Sequence, residues 1–189
     1  MKRIWIIRHG QSENNRSGLL SGWIDTPLTE QGIKDAEKIR PVLEKEHFDR
    51  VYSSDLVRAK TTAETALPGV VYETTPKLRE MNLGELAGRS PSIIPKDQLP
   101  YLSNVGYSAF GGESREEFYA RISSFADELA ASEYDSIAVF SHSGWLRGFL
   151  SITLGITSLS YKVVCGNCAI GVFEYDGTIW RLHSWMNLQ

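Results

Sequence analysis

Short apolar runs alternate with longer segments along most of the chain. Four of these runs are rich in β-branched and aromatic residues and are bounded by polar or turn-forming residues, which is typical of β-strands. The runs are residues 3–7, 50–53, 70–74 and 136–141. Strands that are separated by helical segments predict a mostly parallel sheet with helices on its faces.

Two of the intervening segments have apolar residues at helical spacing. Steps of three and four positions place such residues on one side of a helix. They are Ile33, Ala36, Ile39 and Leu43 in the first segment, and Phe118, Ile122, Phe125 and Leu129 in the second. Both segments are predicted to be amphipathic helices that cover the sheet. Pro41 interrupts the first, so this helix kinks there or a short second helix begins there.

The last third of the chain predicts an antiparallel pair of strands. Alternating residues lie on both sides of Asp176-Gly177, a pair that is typical of two-residue hairpin turns. The predicted fold class is therefore α/β, a three-layer α/β/α sandwich with a mostly parallel sheet and an antiparallel edge. Repeats, low-complexity tracts and linkers are absent from the sequence, so residues 1–189 are expected to form a single domain.

Residues 89–112 depart from this regularity, since they contain three prolines and end in two glycines. A segment of this length without a clear period is usually either disordered or functional. Its apolar side chains, among them Tyr101, Tyr107 and Phe110, are too numerous for a disordered segment. We expect a packed flap over a functional site. The alternative is a structural insertion that covers another part of the core.

The composition is that of an ordinary globular domain, with 42% hydrophobic and 23% charged residues among 189. A chain of this length can bury a core that needs neither a metal nor disulfides. The net charge of −3 and the lack of a lysine- and arginine-rich cluster argue against a nucleic-acid partner. Apolar runs are too short to cross a bilayer, and the polar stretch at residue 8 comes too early for a cleaved signal. We therefore expect a cytoplasmic protein with no membrane partner.

Two cysteines and two histidines have simple structural interpretations. Cys165 and Cys168 form a Cys-x-x-Cys pair, which could be redox-active or half of a zinc site. A second pair is missing and the neighbours are β-branched, so buried reduced thiols in or beside a strand are expected. We expect His47 on a helix surface and His183 on a strand.

Polar side chains follow three of the four predicted strands. Arg8 and His9 come directly after the first strand, Ser54 and Arg58 follow the second, and His142 follows the fourth. The carboxyl ends of parallel strands lie at one edge of a sheet, where ligands bind. Ser54 is a good N-cap, which would place Arg58 about one turn into its helix, at the positive end of the helix dipole.

Two arginines and two histidines at one edge predict a pocket for a doubly charged anion. A buried guanidinium needs a negative partner, and its geometry matches the oxygens of phosphate. Taken singly, Arg8 and Arg58 could instead form ion pairs with Asp25 or Glu80.

Nucleophilic phosphoryl transfer is the chemistry that fits this pocket. The neutral imidazole of His9 would attack phosphorus and form a covalent phosphohistidine that water then hydrolyses. Arg8, Arg58 and a protonated His142 would stabilise the charge, so no metal and no cofactor are expected. The leaving alkoxide needs a proton, for which Glu80 is the first candidate and Glu85 the second.

The stretch RHGQSENN at residues 8–15 resembles the R-H-G-x-S-x-x-N signature of the histidine phosphatase superfamily, the phosphoglycerate mutase-like proteins. Later stretches are similar to the remaining motifs of that family, in the same order. They are residues 21–32, 52–64, 78–88 and 139–149. One departure is Ser143, because many members have His-Gly where this chain has His142-Ser143. The resemblance therefore does not identify which backbone amides donate hydrogen bonds at this position.

The resemblance implies a role for each matching residue. His9 would be the phosphorylated nucleophile and Glu80 the proton donor, and the other implied positions form the pocket around them. The rest of the phosphate pocket would be Arg8, Arg58 and His142, with Asn15, Ser21 and Gly22 as nearby binding groups.

The family contains both phosphatases and mutases. A mutase has a longer, arginine-bearing insertion, whereas the insertion here offers only Arg89 and Lys96 before Arg115. We therefore expect hydrolysis of a small phosphorylated metabolite, such as a sugar phosphate, phosphoglycerate or ribazole phosphate. A phosphoglycerate mutase and a non-catalytic phosphate-binding module are the alternatives. The sequence does not predict the oligomeric state.

Overall fold

The computed structural model describes residues 1–98, 102, 105–156 and 163–187. Six strands form a single sheet. They are β1 (Lys2–Arg8), β2 (Arg50–Ser54), β3 (Glu73–Thr75), β4 (Ser136–Ser141), β5 (Ile170–Tyr175) and β6 (Trp180–Met186). Their order across the sheet is β3-β2-β4-β1-β5-β6. Leu99, Pro100 and Tyr101 of the predicted flap lie outside the described residues.

Strands β3, β2, β4 and β1 are parallel, whereas β5 runs antiparallel to β1 and β6 antiparallel to β5. The predicted mostly parallel sheet with an antiparallel edge is therefore confirmed. The third strand begins later than predicted, at residue 73 rather than 70, because the amide of Val70 donates to Leu67 O within a turn. The final hairpin has a four-residue loop, because Asp176 Oδ1 accepts from the amides of Thr178 and Ile179.

Helices cover both faces of the sheet. They are α1 (Glu13–Arg16), α2 (Glu30–Leu43), α3 (Val57–Ala66), α4 (Arg115–Ala131) and α5 (Ser143–Leu154). Alternate residues of a strand point to opposite faces, so Ile6 of β1 packs with α4 and α5, whereas Ile7 packs with α2 and α3. This arrangement confirms the three-layer α/β/α sandwich.

The two predicted amphipathic helices are present as α2 and α4. Helix α2 begins after Thr29, whose side chain caps the amide of Gly32, and it continues through Pro41 to Leu43. The predicted alternative of a second short helix at Pro41 is therefore wrong. The proline lies in the last turn, where the loss of one backbone hydrogen bond costs the helix little.

The described part of residues 89–112 packs against a small apolar cluster. Ile94 and Leu102 are buried there with Leu83 and Leu86, and Tyr107 and Phe110 pack against them. This cluster includes residues of the loop that carries Glu80. Among the described residues, no helix is both long and apolar enough to cross a membrane.

Candidate active site

His9 follows β1 and is almost completely buried, with 4% of its surface exposed. Its Nδ1 lies 2.7 Å from Gly10 O, which can only accept, so Nδ1 carries the proton and Nε2 keeps its lone pair. Arg58 Nε donates to this Nε2 at 3.2 Å. Burial and the charges of Arg58 and Arg8 lower the pKa of His9 well below its usual value. The residue is therefore a neutral imidazole whose unprotonated Nε2 accepts a hydrogen bond from a guanidinium.

The backbone around His9 is fixed by contacts from three elements. The carbonyl of His9 accepts from Cys168 N at 3.2 Å and from Asn167 Nδ2 at 3.3 Å. The amide of Gly10 donates to Thr62 Oγ1 of α3 at 3.0 Å. A Cβ atom at Gly10 would lie 2.3 Å from Gly32 O, so only glycine allows this close approach to α2. His9 is therefore positioned by β1, by the loop before β5 and by two helices.

Arg58 is fully buried and has no carboxylate partner within the described residues. Its Nη1 donates to Ile24 O and its Nη2 to Gly22 O, both at 2.8 Å. Burial lowers the pKa of Arg58 to about 10. The proposed ion pair with Asp25 is absent, because Asp25 Oδ1 instead accepts from the amide of Val57 at 2.7 Å.

The predicted N-cap of α3 is wrong. The N-cap is Leu56, and the helix begins at Val57, which makes Arg58 its second residue. Ser54 Oγ accepts only a long 3.4 Å bond from the amide of Leu56. Arg58 nevertheless lies at the positive end of the helix dipole, where a cation is unfavourable without an anion.

Arg8, the last residue of β1, also has no acidic partner in the described part of the chain. Its Nη1 donates to Cys165 O at 2.5 Å, and its buried Nε has no hydrogen-bond partner. Burial lowers the pKa of Arg8 from its usual value. Arg8 and Arg58 are thus two incompletely neutralised guanidinium groups in the same cavity as His9.

His142 is the N-cap residue of α5 and is completely buried. Its ring centroid lies 5.1 Å from that of His9, and its Nε2 lies 2.9 Å from Ser54 Oγ. Burial and the nearby charge of Arg58 lower the pKa of His142 well below its usual value. This favours a neutral His142 in the protein alone, and the protonated state expected beside a bound phosphoryl group stays a prediction. Protonation needs an anion that offsets the two arginines, and the buried Nδ1, which has no partner, could then donate to it.

Glu80 lies against the first turn of α5. Its Oε2 accepts from the amide of Gly144 at 2.9 Å, and its Oε1 accepts from the amide of Met81 at 3.0 Å. A Cβ atom at Gly144 would lie 2.1 Å from Glu80 Oε1. The backbone donor to Glu80 is therefore the amide of Gly144, whose lack of a side chain leaves room for the carboxylate. Glu85 is exposed and lies outside the cavity, so the second candidate for proton donation is wrong.

A cavity of about 320 Å³ brings most of the predicted site residues together. Seven of the eight line it, and His142 is buried next to the His9 ring. The seven are Arg8, His9, Asn15, Ser21, Gly22, Arg58 and Glu80. They come from three separate parts of the chain, residues 8–22, Arg58 and Glu80, which the fold brings to one cavity.

The three predicted binding groups differ in what they can do. Asn15 Oδ1 accepts from the amide of Ser12 and from Asn167 Nδ2, both at 3.2 Å, so it links the start of α1 to the loop before β5. Ser21 has a buried hydroxyl without a hydrogen-bond partner, which is available to a ligand. Gly22 has a φ of 49°, and its carbonyl holds Arg58.

Several residues that line the cavity were missed by sequence reasoning. They are Leu19, Leu20, Met81, Leu83, Arg115, Phe118, Tyr119, Ser143, Gly144, Arg147 and Gly148. Leu102 and Tyr107 also line the cavity, and both belong to the predicted flap. Arg147 lies four residues after Ser143, and a helix places such residues on one face, but the sequence does not show which face of α5 borders the cavity. Arg115 could not be found either, because its position depends on how α4 packs against α5.

The remaining cysteines and histidines lie outside the cavity. Cys165 and Cys168 are free, buried thiols, as predicted, and burial raises the pKa of Cys168 to about 12. His183 is on β6, as predicted, but His47 lies beyond the end of α2 rather than on a helix. Within residues 1–98, 102, 105–156 and 163–187, no three His, Cys, Asp or Glu residues are grouped as metal ligands.

Comparison with known proteins gives matches across most of the chain. The family model described as "Histidine phosphatase superfamily (branch 1)" matches residues 4–188. The adenosylcobalamin/alpha-ribazole phosphatase of Salmonella typhimurium is 33% identical over 199 residues, which cover 96% of this chain and 96% of that protein. A broad-specificity phosphatase of Saccharomyces cerevisiae is 30% identical over 186 residues, which cover 92% of this chain and 79% of that protein.

A similar fold occurs in a mycobacterial glucosyl-3-phosphoglycerate phosphatase whose structure was solved in complex with VO3. The TM-score is 0.87 at 28% identity, and the alignment covers 98% of each chain. The sheet, its antiparallel edge and the surrounding helices are therefore shared with a solved phosphatase.

Proposed function

The chain belongs to the histidine phosphatase superfamily, as its motifs predicted, and we propose that it hydrolyses small phosphomonoesters through a covalent phosphohistidine at His9. It is a phosphatase, as are the three relatives named above. The observation that carries the proposed mechanism is the unprotonated Nε2 of His9, which lies against Arg58, a buried guanidinium without a carboxylate partner among the described residues. A phosphoryl group bound there would meet a nucleophile and positive charge together.

In the first step, His9 Nε2 attacks phosphorus, a P–N bond forms and the P–O bond to the leaving group breaks. Arg8 and Arg58 stabilise the charge on the phosphoryl oxygens, and His142, once protonated beside the dianion, donates to it. The leaving oxygen takes a proton from Glu80, whose carboxyl lies at the edge of the same cavity.

In the second step, water attacks the phosphohistidine and returns its proton to Glu80. The P–N bond breaks, and inorganic phosphate leaves with His9 neutral again. The Nδ1–H bond to Gly10 O is kept through both steps, so the same nitrogen acts in each turnover. The two arginines supply the positive charge that a metal ion would supply elsewhere, which makes the proposed reaction independent of metal.

The proposal extends to the surroundings of the site. Ser21 would bind the substrate through its free hydroxyl, and Asn15 and Gly22 would hold His9 and Arg58 in place. Residues 89–112 would act as a flap, since Leu102 and Tyr107 line the cavity. We place the protein in the cytoplasm as a single domain acting on a soluble metabolite.

Hydrolysis of p-nitrophenyl phosphate after treatment with a chelator tests this function. The wild-type protein is expected to release phosphate, and His9→Ala should lower kcat by about a thousandfold or more because it removes the nucleophile. His183→Ala is the matched control, since His183 is an exposed strand residue outside the cavity. Acid quenching during turnover should trap one phosphoryl group on wild-type protein and none on His9→Ala.

Three outcomes would contradict this proposal. Undiminished turnover in His9→Ala would reject His9 as the nucleophile, and phosphate binding without any turnover would indicate a binding module. Conversion of 3-phosphoglycerate to its 2-isomer without release of phosphate would indicate a mutase.

A further inference from the structure

An ion pair behind the cavity is formed by Arg121, in the middle of α4, and Glu113, which lies just before that helix. Arg121 Nε donates to Glu113 Oε1 at 2.9 Å and its Nη2 donates to Glu113 Oε2 at 2.8 Å. Two parallel bonds of this kind fix the relative orientation of the two groups. The side chains are only 15% and 14% exposed, and neither lines the cavity beside His9. The pair therefore cannot act by binding the phosphoryl group.

Arg121 also holds the backbone of residues 77–82, which we call the acid loop because it carries Glu80. Its Nη1 donates to Lys77 O at 2.9 Å and to Arg79 O at 2.8 Å. Its Nη2 donates to Glu80 O at 3.2 Å. The acid loop is thus wrapped around one guanidinium, which supplies the hydrogen bonds that a strand or helix would supply elsewhere.

Glu113 holds the other end of the acid loop. Its Oε2 accepts from the amide of Asn82 at 2.7 Å, and its own amide donates to Asn82 O at 2.9 Å. A Cβ atom at Gly112 would lie 2.4 Å from Asn82 O, so the two backbones are in direct contact. The ion pair therefore fixes the acid loop on both sides of Glu80.

We propose that Arg121 and Glu113 are positioning residues that direct the carboxyl group of Glu80 at the leaving oxygen. This proposal rests on the phosphatase function proposed above. A proton donor must lie within hydrogen-bond distance of the atom that it protonates, so a small shift of the acid loop slows the transfer. One of the two amides that hold the Glu80 carboxylate, that of Met81, itself belongs to the acid loop.

A positioning role and a purely structural role have different consequences for catalysis. An ion pair that only stabilises the fold would, when broken, slow all esters alike. A displaced acid slows mainly those esters whose leaving group is a strong base. Phenyl phosphate and p-nitrophenyl phosphate share the same ring and differ in this respect, because phenolate is the stronger base. The ratio of their kcat/KM values cancels any loss that is common to both.

Arg121→Lys is the most informative variant. It keeps the positive charge, which contributes to the lowered pKa of His142, but one ammonium group cannot replace a guanidinium that bonds to a carboxylate and three carbonyls together. We expect kcat/KM for p-nitrophenyl phosphate relative to phenyl phosphate to rise by about fivefold or more. The inhibition constant of inorganic phosphate should stay within about twofold, because Arg8 and Arg58 are unchanged.

Glu113→Gln should raise the same ratio, because the amide has one acceptor oxygen for the three donors that the carboxylate now serves. Since both residues act through the acid loop, the double variant should stay within about twofold of the larger single effect. Effects that multiply would show that the two residues do not act as a pair and would contradict the proposal.

Arg40→Lys is the matched control. Arg40 is also a half-buried arginine whose Nε and Nη2 donate to a backbone carbonyl, that of Thr65, and it lies outside the cavity. Its replacement should keep the wild-type ratio even where urea denaturation shows a loss of stability. A wild-type ratio in Arg121→Lys would overturn the proposal.

Failure of this proposal can be told apart from failure of the proposed function. If both esters are hydrolysed and Arg121→Lys leaves the ratio unchanged, the positioning role is wrong and the phosphatase function stands. If neither ester is hydrolysed, the phosphatase function is wrong, and the position of the acid loop is then measured without turnover.

Two tryptophan indoles report on the acid loop for that measurement. Trp23 Nε1 donates to Glu80 O at 2.7 Å and Trp145 Nε1 donates to Lys77 O at 2.9 Å, which are two of the carbonyls that Arg121 holds. In proton–nitrogen NMR spectra, both indole signals should shift in Arg121→Lys. Unchanged signals would overturn the positioning of the acid loop by Arg121.

Discussion

Gly144 and Glu80 depend on each other at the start of α5. The Glu80 carboxylate occupies the space where a side chain at residue 144 would begin, with only 2.1 Å between Glu80 Oε1 and a Cβ atom there. It also accepts a hydrogen bond from the amide of Gly144. A methyl group at this position must therefore displace the carboxylate or the helix.

Gly144→Ala is expected to impair proton donation more than it impairs phosphoryl binding. We expect kcat for an alkyl phosphate to fall by about tenfold or more, with a smaller fall for p-nitrophenyl phosphate, whose leaving group needs no proton. Alanine favours helix formation, so the melting temperature should not fall in parallel. Steady-state kinetics with both esters and thermal denaturation measure these effects.

Glu80→Gln provides the reference for this comparison, because it removes the proton without adding volume. It should show the same dependence on the leaving group as Gly144→Ala. An equal fall in kcat for both esters in Gly144→Ala would contradict the role of Gly144 in placing Glu80.

The site residues that could be predicted from the sequence pattern are those that directly follow a predicted strand. Arg8, His9 and His142 come immediately after predicted strands, and parallel strands have their carboxyl ends together. The protonation state of His142 was not predictable, because it depends on burial beside Arg58. Arg147 was missed because nothing in the sequence shows which face of α5 borders the cavity.

At the level of elements, α3 is capped from a distant part of the chain. Its N-cap residue Leu56 has no side-chain oxygen, and Asp25 Oδ1 accepts from the amide of Val57 instead. The same loop supplies the carbonyls of Gly22 and Ile24 to Arg58. Asp25 therefore connects the stability of a helix to the position of a phosphate-binding arginine.

Asp25→Ala should lower the free energy of unfolding by about 1 kcal/mol, the usual cost of losing a helix cap. It should also weaken competitive inhibition by inorganic phosphate, because the loop that holds Arg58 loses its anchor. Urea denaturation and inhibition constants measure the two effects. Asp25→Asn keeps an oxygen acceptor and should retain most of the stability, and an unchanged stability in Asp25→Ala would reject the capping role.

The helices and strands that could be predicted are those whose pattern of apolar residues lies within the segment itself. The apolar faces of α2 and α4 and the strand β4 lie where the sequence pattern placed them. The cap of α3 was mispredicted because its acceptor comes from 32 residues earlier in the chain. The length of the final hairpin loop was mispredicted because the Asp176 side chain, and not a two-residue turn, satisfies the amides there.

For the whole molecule, two buried histidines make folding depend on pH. The pKa values of His9 and His142 are lowered in the folded protein, chiefly by burial. The unfolded chain therefore binds more protons than the folded protein below about pH 6.5, and stability falls as the pH falls. Above this pH both imidazoles are neutral in the folded and the unfolded states, so the free energy of unfolding no longer depends on their protonation.

The free energy of unfolding should decrease by about 2 kcal/mol between pH 7.5 and pH 5.5. The measurement is urea denaturation in buffers without phosphate, since a bound anion would change the protonation of the site. His142→Asn should reduce this pH dependence by about half. The carboxylates with lowered pKa values, such as Asp55 and Asp176, lose their contribution only at lower pH.

His47→Gln is the control for the same measurement, because His47 is exposed. It should leave the slope of stability against pH unchanged. A slope that is the same in His142→Asn and in the wild-type protein would show that His142 is protonated equally in the folded and unfolded states.

The central place of β1 in the sheet has a consequence for synthesis of the protein on the ribosome. The strand that leads into His9 pairs with β4 on one side and with β5 on the other, at residues 136–141 and 170–175. Its apolar side chains therefore stay without strand partners until most of the chain has been translated. A nascent polypeptide of this protein therefore cannot assemble its catalytic centre until β4 and β5 have been synthesised.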